Sequence, residues 1–254
     1  MKESISYWSG LKQIRICLFN FNLTSMKLSI IIPVFNEENT IIDLLKTVNT
    51  VDYTIPTEII VVNDGSTDKT YEQLLKIKNL IEGVEIISYE KNKGKGHAIR
   101  QGINNINGDI IIIQDADFEY DPKQIPILIE PIIEGKDKVV YGSRFLGSFK
   151  NMKFSFLFGN KFLNFITNLL FRSQLTDIET CYKTIHKDVL RKLNLESDGF
   201  EIEAEITAKI LKNGYRIKEI PIRYKARTKE AGKKIRIFDG FKNLIILLKI
   251  KLFQ

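Results

Sequence analysis

Histidine and cysteine are nearly absent. The chain has two of each in 254 residues, with Cys17 and Cys181 far apart and no CxxC pair. That leaves too few soft ligands for a zinc site and no disulfide framework, so a reducing cytoplasmic setting is expected. Long apolar runs are lacking too. The opening segment MKESISYWSGLKQIRICLFNFNLTSM interrupts each candidate run with charged or polar residues, so neither a secretory leader nor a spanning helix is expected there. Met26, directly before KLSIIIPVFNEEN, is a candidate start that would make residues 1–25 a loosely attached extension. Neither GxxxxGK[ST] nor GxGxxG occurs, which excludes the two commonest phosphate-binding loops. No repeat or low-complexity linker marks a boundary, so one sizeable core with an appendage is expected.

What is present is apolar and basic. Hydrophobic residues make up 44% of the chain and the formal net charge is +7. A globular core with an anionic partner follows, be it nucleic acid, an acidic lipid surface or a phosphorylated substrate. From Lys27 onward, LSIIIP, EIIVVN, VEIISY and DIIIIQ are apolar runs too short for helices, separated by segments of helical spacing. A mostly parallel α/β sheet covered on both faces reads in this way. Further along, VVYGSRF, ETCYKTI and YRIKEIPIRY read as strands. Residues 154–171, FEIEAEITAKILKNG ended by Gly214, and FDGFKNLIILLKIKLF read as helices.

Ligands of such sheets sit beyond the carboxyl ends of the strands, and each of those ends here is polar. DIIIIQDADF drives four isoleucines into Asp115 and Asp117. In an extended segment Asp115, Asp117 and Glu119 face one side. Their mutual repulsion would be relieved by Mg²⁺ or Mn²⁺, which favours carboxylates shared with substrate phosphates. The competing reading makes these acids helix caps, as Asp121 is expected to be before Pro122. Asp64 and Glu37 carry the same ambiguity, with Ser66 or Thr67 as a candidate start of the next helix. EKNKGKG sets Lys91, Lys93 and Lys95 among glycines before a helix, where amides and lysines could receive phosphate.

SIIIPVFNEE, VVNDGSTD, NKGKGHAIRQG, QDADFEYDP and YGSRF, in that order, resemble the inverting family 2 glycosyltransferases of the polyprenyl-phosphate branch, which includes dolichyl-phosphate mannose and glucose synthases. The resemblance continues through LTDIETCYK, FEIEAEITAKI, EIPIRYKAR and GKKIRIFDG, covering residues 27–242. It implies a nucleotide-sugar-binding glycosyltransferase A-type fold that moves one hexose from a GDP- or UDP-sugar to a dolichyl or undecaprenyl phosphate, with Mg²⁺ or Mn²⁺. Carried over by motif, Pro33 and Glu37 border the base, Asp64 contacts it, Asp115 holds ribose and metal, and Asp117 and Glu119 ligate the metal. Family members often carry Gln at the position of Glu119. Arg144, and Arg227 after the PIRY strand, lie near the phosphates in this scheme. An acceptor phosphate is already ionised, whereas a sugar hydroxyl needs a base; Asp177 and Glu179 are candidates for that base, or for a structural ion pair.

Residues 154–171 carry a wide apolar arc around a thin stripe of Asn160, Lys161, Asn164 and Asn168. It fits a membrane surface or a core helix. The last helix, with Lys242, Lys249 and Lys251 among Leu and Ile, also looks interfacial. The expected organisation is therefore 1–26 extension, 27–236 transferase domain and 237–254 amphipathic helix, peripheral at the cytoplasmic membrane face. Between domain and helix, KARTKEAGKKIR brings Lys229, Lys233, Lys234 and Arg236 around Gly232, either a closing loop or a solvated basic one. Competing readings are a transferase with a carbohydrate acceptor, a nucleotidyltransferase, and an RNA-binding module. The second lacks a glycine- and arginine-rich first loop, and the acidic strand ends oppose the third. No nucleic acid is expected as partner, and nothing in the sequence specifies a protein partner.

Overall fold

The computed structural model describes residues 26–227 and 237–253. The expected extension, apart from Met26, and the loop residues Lys229, Gly232, Lys233, Lys234 and Arg236 lie outside these. Seven strands form one sheet: β1 (Leu28–Val34), β2 (Thr57–Asp64), β3 (Val84–Tyr89), β4 (Ile110–Ile113), β5 (Val139–Lys150), β6 (Lys183–His186) and β7 (Lys218–Lys225). Their order is β3-β2-β1-β4-β6-β5-β7. The helices are α1 (Ile41–Thr50), α2 (Thr70–Lys78), α3 (Lys95–Ile103), α4 (Ile125–Ile133), α5 (Phe154–Phe171), the short α6 (Lys187–Leu190), α7 (Ile202–Lys212) and α8 (Ile237–Phe253).

The apolar runs form the strands because both sheet faces are covered. Every residue of β4 is buried, and Ile30, Ile31 and Ile32 of β1 are fully enclosed. Each such side chain stabilises the fold by roughly 1.5–3 kcal/mol. The register aligns the strand ends: Ile31 lies opposite Ile113, and Val34 opposite Asn63. The carboxyl ends of β1, β2, β3 and β4 therefore open on one edge. β6 alone runs antiparallel to its neighbours. Its beginning, not its end, reaches that edge, and the loop entering it (176–182) joins the site.

Three local expectations are corrected. β4 stops at Ile113, so Asp115, Asp117 and Glu119 stand on a turn rather than an extended strand. Gln114 closes that turn through its Nε2, which donates to the carbonyls of Asp115 and Tyr120, while Phe118 takes a left-handed φ of 58°. α2 begins at Thr70, and its free N–H is taken by Asp68 at 2.9 Å, not by Ser66 or Thr67. ETCYKTI yields only the four-residue β6. Asp121 does cap the turn starting at Pro122.

α5 is inside out for a helix on a globular protein. Its asparagines face inward: Asn164 Oδ1 accepts the Ile178 N–H at 3.0 Å, and Asn168 exchanges bonds of 2.8 Å with the backbone of Leu175. Phe154, Phe158, Phe162, Phe165 and Leu169 face out, Phe158 at 67% exposure. On α8, Phe241, Ile245, Leu252 and Phe253 do the same while Asn243, Leu247 and Ile250 are buried. No helix among the described residues is long and apolar enough to cross a membrane.

Reversing the usual order of substitutions tests this placement. Asn164→Leu should lower unfolding stability by about 2 kcal/mol, since it strips partners from a buried loop. Phe158→Ser should change stability by no more than about 0.5 kcal/mol. Urea midpoints in the opposite order would refute the inward polar stripe.

Candidate active site

A cavity of about 290 Å³ opens at the carboxyl ends of β1, β2 and β4. Pro33, Glu37, Asp64, Lys95, Asp115, Asp117, Glu119 and Arg227 all line it. Eight of the residues singled out in the sequence are thus brought together. Arg144 lines instead a second cavity of about 190 Å³, which meets the first at Lys95, Asp115, Glu119 and Phe200. Asp177 lies behind Arg144, wholly buried.

Lys95, at the start of α3, sits between two carboxylates. Its Nζ is 2.7 Å from Asp115 Oδ1 and 3.0 Å from Glu203 Oε1. Burial alone would depress its pKa, yet Asp115 and Glu203 reverse this and hold the ammonium well above the usual lysine value. Glu203 is held in turn by Lys183, whose ammonium also donates to the Ile178 carbonyl at 2.9 Å. Burial pushes the Glu203 carboxyl up, but the two lysines bring it below the usual range. A ladder of alternating charge thus runs from Asp115 through Lys95 and Glu203 to Lys183.

Asp64 holds the glycine turn before α3. Its carboxylate accepts from Asn92 Nδ2 at 2.8 Å, from the Lys93 N–H at 2.7 Å and from the Gly94 N–H at 2.9 Å. Gly94 has a φ of 106°, and a Cβ there would lie 2.3 Å from the Asp198 carbonyl oxygen. Only glycine lets the loop 197–200 come this close and bring Phe200 to the cavity.

The acidic turn is divided. Asp117 accepts the Glu119 N–H at 3.0 Å. Burial, then the like charges of Asp115 and Glu119, raise its carboxyl pKa to about 7. Glu119 gives one oxygen to the Tyr224 hydroxyl and the other to the Arg227 N–H at 2.6 Å. No set of three His, Cys, Asp or Glu side chains among the described residues is grouped to hold a cation alone. Two crowded carboxylates, Asp115 and Asp117, nevertheless fit Mg²⁺ or Mn²⁺ that draws its remaining ligands from substrate phosphates.

Both arginines grip carboxylates. Arg144 is bidentate on Asp177, with Nε and Nη2 each 2.7 Å from an oxygen, and its guanidinium lies 5.1 Å over the Tyr224 ring. Asp177 is therefore placed as an anchor for Arg144. Arg227 reaches Glu37 with Nη1 at 3.2 Å and Nη2 at 2.8 Å, and its Nε donates to the Asp117 carbonyl at 2.9 Å. Glu179 faces the second cavity with a carboxyl that burial raises to about 7.

Phe200, Glu203, Tyr224 and Asn243 belong to this site and went unnoticed in the sequence. Glu203 had a signal, being one of three alternate acids in FEIEAE, but alternation on a helix spreads residues over several faces.

Comparison with known proteins agrees with this geometry. The profile for Glycosyl transferase family 2 matches residues 29–193. A UDP-N-acetylglucosamine–dolichyl-phosphate N-acetylglucosaminyltransferase of Methanococcus voltae is 31% identical over 242 residues, spanning 88% of this chain and 95% of that protein. A dolichol-phosphate mannosyltransferase of Pyrococcus furiosus is 29% identical over 233 residues, spanning 88% of this chain and 64% of that one. A crystal structure of glucosyl-3-phosphoglycerate synthase from Mycobacterium tuberculosis, in complex with Mn²⁺, uridine diphosphate and phosphoglyceric acid, has a TM-score of 0.73 at 17% identity. That likeness covers 93% of this chain and 82% of the other, and it concerns the fold.

The Glu37–Arg227 contact should behave as a true pair. In a double-mutant cycle with Glu37→Gln and Arg227→Lys, urea unfolding should return a coupling energy of about 1–3 kcal/mol. Additive effects would show that the two groups do not depend on each other.

Proposed function

The chain belongs to glycosyl transferase family 2 and is a glycosyltransferase, and from that premise we propose that it moves one hexose from a nucleoside-diphosphate sugar to a polyprenyl phosphate at the cytoplasmic surface of a membrane. The observation that carries this reading is the meeting of two cavities. The first has the acids, glycine turn and lysine suited to a nucleoside diphosphate. The second runs from Asp115 and Lys95 to α5 and α8, whose outer faces are phenylalanine, leucine and isoleucine. A lipid acceptor approaching from those helices would meet the donor at the shared wall. The Methanococcus and Pyrococcus relatives are named for dolichyl and dolichol phosphate.

In this reading the donor's base lies by Pro33 and Asp64, and its diphosphate lies between Lys95 and the pair Asp115 and Asp117. Mg²⁺ or Mn²⁺ held by Asp115 and Asp117 would neutralise charge on the departing diphosphate. An oxygen of the acceptor phosphate attacks the anomeric carbon from the face opposite the diphosphate, the carbon–oxygen bond to the diphosphate breaks, and the nucleoside diphosphate keeps the electron pair. Configuration inverts. Because the attacking phosphate is ionised, no side chain has to take a proton. Asp177 then serves by holding Arg144 at the second cavity. Arg227 orients Glu37 and, through Glu119, ties the end of β7 to the acidic turn.

Asp117→Ala should lower turnover at saturating donor at least about a hundredfold, as loss of charge stabilisation in a transition state does. In chelator-treated protein the same substitution should raise the unfolding midpoint, because it removes one of three crowded acids. Undiminished transfer would end the assignment of Asp117 to the diphosphate.

Membrane attachment can be read separately. Replacing Phe158 and Phe165 together with serine should weaken sedimentation with anionic vesicles at least about tenfold, given roughly 1.5–3 kcal/mol per buried phenyl group. Nucleotide affinity should stay unchanged. Equal vesicle binding by the variant would contradict α5 as a lipid-facing surface.

A further inference from the structure

Two residues that line the second cavity each carry a buried oxygen that no described residue satisfies. Glu179 Oε1 and Asn243 Oδ1 are both buried and lack a hydrogen-bond donor. The other halves of the two groups are tied together, Asn243 Nδ2 donating to Glu179 Oε2 at 2.8 Å. The pair is therefore a fixed double acceptor. Buried acceptors are ordinarily satisfied, and exceptions ask for a ligand or a water.

The surroundings favour a ligand with both apolar faces and hydroxyls. Both residues line the cavity, together with the rings of Phe156 and Phe200. A pyranose ring offers apolar faces for the phenyl groups and hydroxyl donors for the oxygens. The acceptor phosphate meets the donor at the shared wall by Lys95, whereas the cations beside Glu179, Arg144 and Lys183, are held by Asp177 and Glu203. The cavity, of about 190 Å³, begins at Asp115, beside the diphosphate position proposed above.

We propose that Glu179 and Asn243 read the hydroxyls of the transferred hexose, Glu179 Oε1 and Asn243 Oδ1 each accepting from one hydroxyl, and so determine which sugar the enzyme takes. This rests on the glycosyl-transfer reading of the first cavity. The raised carboxyl of Glu179 is consistent with an acid short of donors, which hydroxyls would supply. Asn243 lies on α8, so one wall of the sugar subsite belongs to a helix whose other face is apolar and exposed.

The test uses the full chain in detergent. Titration calorimetry compares bare UDP and GDP with their glucose, galactose, mannose and N-acetylglucosamine conjugates, for wild type, Glu179→Gln and Asn243→Leu. Bare nucleotide should bind the variants within about twofold of wild type, which also reports an intact fold. The affinity gained from the preferred sugar should fall about tenfold, the usual worth of a lost hydrogen bond, and the ranking among epimers should flatten. A deoxy analogue lacking the read hydroxyl should bind wild type and variant alike. An unchanged ranking in variants that still bind bare nucleotide overturns the proposal. A fall in kcat with the ranking intact also overturns it, and indicates a proton-transfer role for Glu179. Should Glu179→Gln fail to fold, Asn243→Leu decides alone, because Asn243 lies on α8 and not in the loop that anchors Arg144. Failure of wild type to bind any nucleoside diphosphate would instead refute the transfer reading itself.

Discussion

A single ammonium group sets the geometry at the edge of this sheet. Lys95 Nζ lies between Asp115 and Glu203, and without it two carboxylates would face each other in a partly dry space. The requirement propagates. Glu203 needs a second cation and finds Lys183, which is fully buried and reaches back to the carbonyl of Ile178. That carbonyl belongs to the loop carrying Asp177 and Glu179, and Asp177 fixes Arg144. One network of ion pairs and hydrogen bonds thus runs from the first cavity to the far wall of the second.

The glycine turn belongs to the same arrangement. Asp64 binds the turn from one side, and the loop 197–200 closes on Gly94 and Gly96 from the other. Lys95 is the next residue after Gly94, so its position is determined by two backbone contacts before any charge is counted. A rigid main chain is what lets a flexible side chain hold a fixed place between acids.

The fold was legible wherever burial alone decides structure. Runs of isoleucine and valine mark β1, β2 and β4, because a strand covered on both faces admits little else, while the edge strand β3 admits Glu85 and Ser88. The direction of β6 was not legible: a four-residue strand with three residues buried reads alike either way. The asparagine stripe of α5 was visible, but not its orientation, since a polar stripe on an apolar helix ordinarily faces water and this one holds a loop. Of the site, the residues at strand ends were readable because position on a parallel sheet predicts function. The acidic turn was misjudged as extended, because nothing in QDADF announces that pairing ends at Ile113. Glu203 and Asn243 were hidden, as one charged or polar residue on a helix reads as solvated until the helix is seated.

Arg227 meets Glu37 across 190 positions of sequence. On a ribosome, the strands that form the first cavity emerge first, and domains tend to fold as they appear. The arginine that completes the site comes only after β7 has been made and added to the sheet. A nascent chain that has folded β1 through β4 therefore has the acids of the site without their closing contact. Completion of the cavity is in this way tied to completion of synthesis, and a product that ends before Arg227 would lack the guanidinium that clasps Glu37 in the finished one.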